Sequence, residues 1–387
     1  MGKTKSKLVK ILILIFLTLF PFGQLFRKEI GILGINITLH PVDISIGLVS
    51  LVLIIGKFAK PKIFKTILAL IAVLLFSLVL SLADFGPLVA KGAFYFLRFI
   101  AYLFFVVAVY NVSNSKESKK FLSLALILIS LVVGIFGWFQ YIFYPDLRSL
   151  YYLGWDDHLY RLVGTFLDPG FTSIILVFGF LLSVNEFLQG KKKIFLVSSF
   201  FFIVTVAFTY ARAAYLALLG GVWVISKVRR SFKPLLFSII TLLVLILFLP
   251  RPEGYGVKLE RTHSIYAKLT NYAETITIFK KAPLFGVGFN NICLAREKYL
   301  FDRNISSHAC NGADSSLLFL IATTGVLGAF VLLGFFDVFS KSIYGPYKTS
   351  FYAVMIALGL HSLFLNSLFY PWVMGYIAIL GGISLKE

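Results

Sequence analysis

The sequence predicts an all-α membrane protein: a polytopic helical bundle of about 12 transmembrane helices with a helical loop outside the bilayer. Three observations predict it. Hydrophobic residues make up 59% of the 387 and charged residues only 14%, against roughly half and a quarter in a soluble domain. The mean hydropathy is +0.91. Apolar runs close to the roughly 20 residues that a spanning helix needs recur along the chain. They are continuous, without the period-two alternation of a membrane β-barrel.

Taken in order, these runs place spans at 8–26, 40–57, 64–83, 88–111, 119–143, 170–188, 194–210, 212–227, 234–250, 314–339, 349–366 and 369–385. The first is too long for a secretory leader, lacks a small-x-small cleavage site and is followed by more spans. The chain reads as one integral-membrane domain, 1–387, with no internal repeat and no low-complexity linker.

Charge sets the orientation. One set of alternating loops carries Lys3, Lys57, Lys116, Lys191, Arg229, Lys341 and their basic neighbours, with Glu117 the one acid squarely among them. The positive-inside rule assigns that set, and both termini, to the cytoplasm. It also accounts for most of the net charge of +20, so the basic balance does not indicate nucleic acid. The other set holds most of the acids, among them Asp146, Asp156, Asp157, Asp168, Glu260 and Glu274. It includes the longest polar stretch, an extracytoplasmic loop over 251–313 that runs into His308-Ala-Cys-Asn-Gly-Ala-Asp314.

Three stretches on that side offer chemistry. In Thr209-Tyr-Ala-Arg212, two apolar runs meet with almost no loop. Arg212 there reads either as an interfacial anchor or as a phosphate clamp, since a planar guanidinium fork matches phosphate oxygens. Over Lys258–Lys281, Leu259, Ile265, Leu269, Tyr272, Ile276 and Phe279 recur at nearly helical spacing, with Arg261, Lys268 and Asn271 elsewhere around the helix. That pattern suits a helix lying on the membrane surface, stopped by Ala282-Pro-Leu-Phe-Gly-Val-Gly288. Asp314 opens the next apolar run, where it reads as an N-cap or as a general base. His308 is the second candidate base, because its intrinsic pKa lies near neutrality. Cys293 and Cys310 both fall in the loop and pair if that compartment is oxidising; two free thiols is the other reading. No Walker loop, HExxH, CxxC or zinc-spaced His/Cys/Asp cluster occurs, so no metal and no cofactor are expected.

Four of these stretches together resemble the O-antigen ligase and polymerase family, polytopic enzymes that move glycans from undecaprenyl-diphosphate carriers. Arg161-Leu-Val-Gly-Thr-Phe-Leu-Asp-Pro169 is similar to the family's Arg-x-x-Gly-Thr-Phe-x-x-Pro segment. Thr209-Tyr-Ala-Arg212-Ala-Ala resembles its Thr-x-Ser-Arg-Gly corner. Arg261 through Gly288 resembles its outer-loop helix ending in Pro-x-x-Gly-x-Gly, and Asp314 through Gly325-Val-Leu-Gly328 the segment closing that loop. Order and spacing agree from about residue 160 to 330.

The resemblance implies a metal-independent glycosyltransferase of the GT-C type in the inner membrane of a bacterium. Its donor would be a glycan on a polyprenyl diphosphate, its acceptor a hydroxyl on a lipid, glycan or protein. It implies Arg212 and Arg261 on the diphosphate, Asp314 or His308 as base, and Arg161, Asp168 and Lys268 as substrate contacts; Arg98, outside the stretch that carries the resemblance, is a further candidate contact. Arg98, inside a span, also reads as the partner of a buried acid. Ligases of the family begin the last segment with His-Asn, where this chain has Asp314-Ser315; polymerase-like members often carry Asp there. The rival classes are a secondary transporter of a small anion or glycan-related solute and a non-catalytic envelope scaffold. Transporters show repeated halves and polar breaks at mid-membrane, whereas here the polar residues gather at one face.

Overall fold

A computed structural model describes all residues except 1, 33–34, 253, 303–309, 311 and 387. The helices are α1 (Lys3–Leu19), α2 (Pro41–Ile54), α3 (Phe64–Leu80), α4 (Leu82–Phe85), α5 (Ala90–Val112), α6 (Lys116–Phe143), α7 (Pro169–Gly190) and α8 (Lys193–Phe208). They continue as α9 (Arg212–Val228), α10 (Lys233–Phe248), α11 (His263–Lys281), α12 (Ile292–Leu300), α13 (Ser316–Lys341), α14 (Lys348–His361) and α15 (Pro371–Ser384). The described residues are thus all-α apart from one antiparallel strand pair, β1 (Lys28–Ile32) with β2 (Ile35–Leu39), which the apolar runs did not announce.

Each predicted span falls on a helix. Among the described residues, five segments are long and apolar enough to cross a membrane: Lys3–Phe26, Phe64–Val112, Lys116–Phe143, Pro169–Gly190 and Ser316–Lys341. Four other apolar helices, Pro41–Ile54, Lys193–Phe208, Lys233–Phe248 and Pro371–Ser384, are shorter than the roughly 20 residues of an upright crossing. The surface supports a lipid surround. On α10, Leu236, Phe237, Ile240, Leu243 and Leu247 are all exposed, forming an apolar strip that water would not tolerate on a folded monomer.

The bundle packs around α7, which is buried along most of its length. Asp168 caps it by accepting from the Phe171 amide at 2.9 Å, and Pro169 fills the first helical position, where no N–H is required. Small residues bring its neighbours close. A Cβ at Gly220 would lie 2.2 Å from Leu360, and one at Gly221 2.4 Å from Leu181. The α9–α14 and α9–α7 contacts therefore depend on bare backbone, as expected where helices associate by close packing within lipid.

The acid-bearing loops collect at one end of this bundle, hereafter the loop end. There Arg161 meets Thr209, Arg212 meets Leu259, Lys268 meets Phe364 and Lys298 meets Asp84. The lysine-rich turns gather at the other end, where Lys5 donates to Ile55 and Asn111 bonds Ala59.

The Pro-x-x-Gly stretch after α11 docks on α13 through backbone hydrogen bonds, with one hydroxyl from α3 bridging the two. Val287 N–H donates to Ala322 at 3.0 Å, Val326 N–H to Pro283 at 2.9 Å, and the Ser77 hydroxyl ties Phe285 and Thr323 together. Gly286 and Gly325 face each other across this contact. A Cβ at Gly286 would lie 2.2 Å from the Thr323 carbonyl carbon, and one at Gly325 2.2 Å from the Leu284 oxygen. Gly325 sits at φ 66°, ψ −170° and kinks α13, in a backbone region open almost solely to glycine.

Candidate functional site

Three arginines converge where α8 turns into α9. Thr209 ends α8, Tyr210 takes φ 52°, and Arg212 is the first residue of α9. Positive φ is rare for a bulky residue. Here the Tyr210 carbonyl accepts from two guanidiniums, Arg161 Nη2 at 3.4 Å and Arg261 Nη2 at 3.1 Å. Arg161 also donates through Nε to the Thr209 carbonyl at 3.1 Å, and Gly256 lies against its stem. Arg212 reaches the loop: Nη1 donates to the Leu259 and Arg261 carbonyls at 3.1 and 3.0 Å, and Nη2 to Ser264 Oγ at 2.9 Å. Arg261 Nη1 donates to Gly256 and Lys258, both at 2.8 Å.

All of these bonds go to carbonyls and one hydroxyl, none to a carboxylate. The charges repel. Burial, and then the Arg261 guanidinium, pull Arg161 down to about 10 from the ordinary arginine value. Burial and then Arg212 lower Arg261. A patch of crowded, partly desolvated guanidiniums gains by taking up an anion.

The preceding loop is built to hold Arg161. Gly164, at φ 63°, and Val163 donate their amides to Gln140 Oε1, Leu162 N–H donates to Phe208, and the Thr165 and Thr172 hydroxyls bond Pro21 and Val163. The segment matched to the Arg-x-x-Gly-Thr-Phe pattern is thus a backbone brace that presents one buried arginine.

A second group lies along one face of α11. Ser264, Lys268, Asn271 and Tyr272, near-multiples of one helical turn apart, all face the protein. Lys268 Nζ donates to the Phe364 carbonyl at 2.6 Å and stands 3.9 Å from Asp314 Oδ1. Asn271 Oδ1 accepts from the Asp314 amide at 2.8 Å, and the Tyr272 hydroxyl donates to Leu363. Burial, followed by Asp314, pushes Tyr272 up to about 12. Ile265, Leu269 and Ile276 are exposed on the other side, so the apolar face points outward, as suits a helix against lipid. Tyr272, counted in the apolar stripe, belongs instead to the inward polar face.

Asp314 is not the N-cap. Ser315 occupies that position and accepts from Leu318 N–H, leaving the Asp314 carboxylate 46% exposed beside Lys268. Arg212 touches α11 at Ser264 and Asp314 touches it at Lys268, about 6 Å of helix rise away. His308 lies outside the described residues. Arg98 has an acid for a partner: its Nη2 lies 3.1 Å from Asp43 Oδ2 and also donates to the Thr38 carbonyl. Cys293 and Cys310 form a disulfide, closing a loop that chain entropy values at about 3 kcal/mol. Arg296, though basic and in the loop, is structural: it is buried between Glu274 at 2.6 Å and Asp302 at 2.7 Å.

The linear spacing hid one constellation. Asp156, His158 and Asp168 bring one ligand atom each within 4.8 Å of one another, a grouping absent from the sequence reading. Among the described residues, these three are the ones that could hold a divalent cation. Two features oppose it: Asp168 spends Oδ1 on the α7 cap, and Arg161 adds like charge beside His158.

Burial, then Arg161, lowers His158 to about 4, and its buried Nε2 has no hydrogen-bond partner among the described residues. Below pH 6.5 the unfolded chain takes up a proton that the folded imidazole refuses until about pH 4. Stability from this group therefore falls as pH drops through that window, by up to about 3 kcal/mol, and is flat above it. Unfolding followed from pH 7 to pH 4 is expected to show this slope, and His158→Gln to remove it.

Residues 197–333, from α8 into α13, match the family model described as O-antigen ligase. That stretch contains Arg212, Arg261, Lys268 and Asp314 and excludes Arg98, Arg161 and Asp168. No curated protein matches the chain. The match supports an O-antigen ligase/polymerase-like family, one with a glycan-transfer role.

Proposed function

Starting from that likeness to the O-antigen ligases, we propose that the protein is a metal-independent glycosyltransferase of the cytoplasmic membrane. It transfers a glycan from a polyprenyl diphosphate to an acceptor hydroxyl at the outer face, both termini being cytoplasmic and the chain crossing twelve times. One observation carries this reading: Arg161, Arg212 and Arg261 crowd at the loop end, with no carboxylate among their hydrogen-bond partners in the described residues.

In the proposed reaction the acceptor oxygen attacks the anomeric carbon, and the bond from that carbon to the diphosphate oxygen breaks. The hydroxyl proton passes to Asp314 or His308. The leaving polyprenyl diphosphate gains negative charge, which Arg212 and Arg261 meet through the N–H groups not spent on the loop. Fixed guanidiniums in a partly desolvated site supply the stabilisation that a divalent metal gives elsewhere. Lys268 positions Asp314. Arg161 and Asp168 flank the substrate from the α7 side.

Asp314→Asn tests the assignment of the base. If Asp314 takes the proton, turnover is expected to fall by about 10²–10⁴-fold with donor binding retained. Wild-type turnover would remove Asp314 from the chemistry and leave His308, or no base.

A further inference from the structure

The mechanism makes no use of a cavity of about 210 Å³ between the outer ends of α5, α7 and α13 and the segment entering α15. We propose that this cavity is a subsite for one uncharged sugar ring of the glycan substrate, an inference that rests on the glycan-transfer reading above. The volume lies below the roughly 300–1,000 Å³ of pockets for drug-sized ligands, which suits a single ring.

The walls are aromatic. Tyr95, Phe99, Phe171, Phe289, Phe369 and Tyr370 line the cavity, with Phe171 and Tyr370 stacked face to face at 3.9 Å. Aromatic faces carry the negative part of the ring quadrupole, and the weakly positive C–H groups of a pyranose pack on them. An acyl chain would need no polar lining, yet Arg98, Asn290 and Asn366 enter the same space. Among the described residues Asn366 Oδ1 is buried without a partner, an acceptor whose desolvation is uncompensated until a donor reaches it.

Charge decides between a neutral and an anionic ligand. The cation of this cavity is already matched. Arg98 stands 3.1 Å from Asp43 Oδ2, their side chains are 13% and 5% exposed, and Tyr102 and His40 also bond the carboxylate. A guanidinium so paired offers N–H donors without net charge. A phosphate or uronate would add an unbalanced negative charge to a buried site, whereas hydroxyls need only the donors and acceptors present. Anionic groups instead suit the arginine patch beyond Asp168, whose cap secures the first turn of α7 where Phe171 stands.

The test is saturation-transfer NMR on the full-length protein in detergent. The probes are the methyl glycosides of glucose, galactose, mannose and N-acetylglucosamine, with methyl glucuronide as the charged counterpart and inorganic pyrophosphate titrated separately. At least one neutral glycoside is expected to bind, and Asn366→Asp, which is isosteric, and Phe369→Leu, which stays apolar but loses the ring, to weaken it at least fivefold without changing pyrophosphate affinity. No signal from any neutral glycoside, or an undiminished signal in both variants, would overturn the subsite. So would binding of the glucuronide as tight as its neutral analogue. Pyrophosphate binding without sugar binding sinks the subsite alone; sugar binding with neither pyrophosphate binding nor transfer sinks the transfer reading. Photocrosslinking at Phe369 with labelled donor, then with labelled acceptor, distinguishes which substrate supplies the ring.

Discussion

Arg261→Ala is expected to lower glycan transfer by about 10²–10³-fold, the usual cost of removing one fixed donor from a charge-stabilising site. Arg212→Ala should cost more. Arg212 holds the Leu259 and Arg261 carbonyls and the Ser264 hydroxyl, so its loss also frees the start of α11 and, with it, Lys268 and Asp314. The two effects separate by measurement. Arg261→Lys keeps the charge but loses the fork that serves Gly256, Lys258 and Tyr210 together. Donor KM is expected to recover in it more than kcat. If Arg212→Ala and Arg261→Ala both turn over at the wild-type rate in steady-state assays, the guanidinium patch has no part in transfer.

The sequence made the candidate elements legible because each left a local mark: charge at span ends, a helical period before Pro283, an acid before the last long apolar run. What it did not reveal was how those residues are spent. Arg212 and Arg261 looked free for substrate, yet most of their described bonds brace the loop. Asp314 looked like a cap, but the hydroxyl one residue later takes that place. Arg98 left two readings open, and only tertiary packing brings Asp43, fifty-five positions earlier in the chain, to its side. The Asp156–His158–Asp168 grouping and the Arg98 cavity escaped for the same reason: neither follows from a spacing rule, since the cavity draws on five separate stretches. The count of crossings was also beyond composition, because several apolar helices are shorter than an upright span.

Gly325→Ala and Gly286→Ala should have the largest effect on stability. At Gly325 the backbone conformation excludes other residues at about 1–3 kcal/mol, and the added methyl meets the Leu284 carbonyl at 2.2 Å. Overpacking adds about 1–3 kcal/mol. The obstacle is backbone on both sides, so no side-chain rotation relieves it. Each substitution is expected to detach the 282–288 segment from α13 and to lower the thermal midpoint of the purified protein. Proteolysis should then open the region after Lys281 in membranes. Alanine at Gly334, where a Cβ meets nothing within 4 Å, is the matched control. Equal midpoints for Gly325→Ala and Gly334→Ala would refute the docking described.

The most direct measurement is titration of the purified, metal-chelated protein with a short-chain polyprenyl diphosphate, read by calorimetry. Saturable binding is expected in the presence of chelator, weakened at least tenfold in Arg212→Ala and in Arg261→Ala and unchanged in Asp314→Asn. Equal affinity in the arginine variants, or binding that appears only when a divalent cation is restored, would contradict the proposed function.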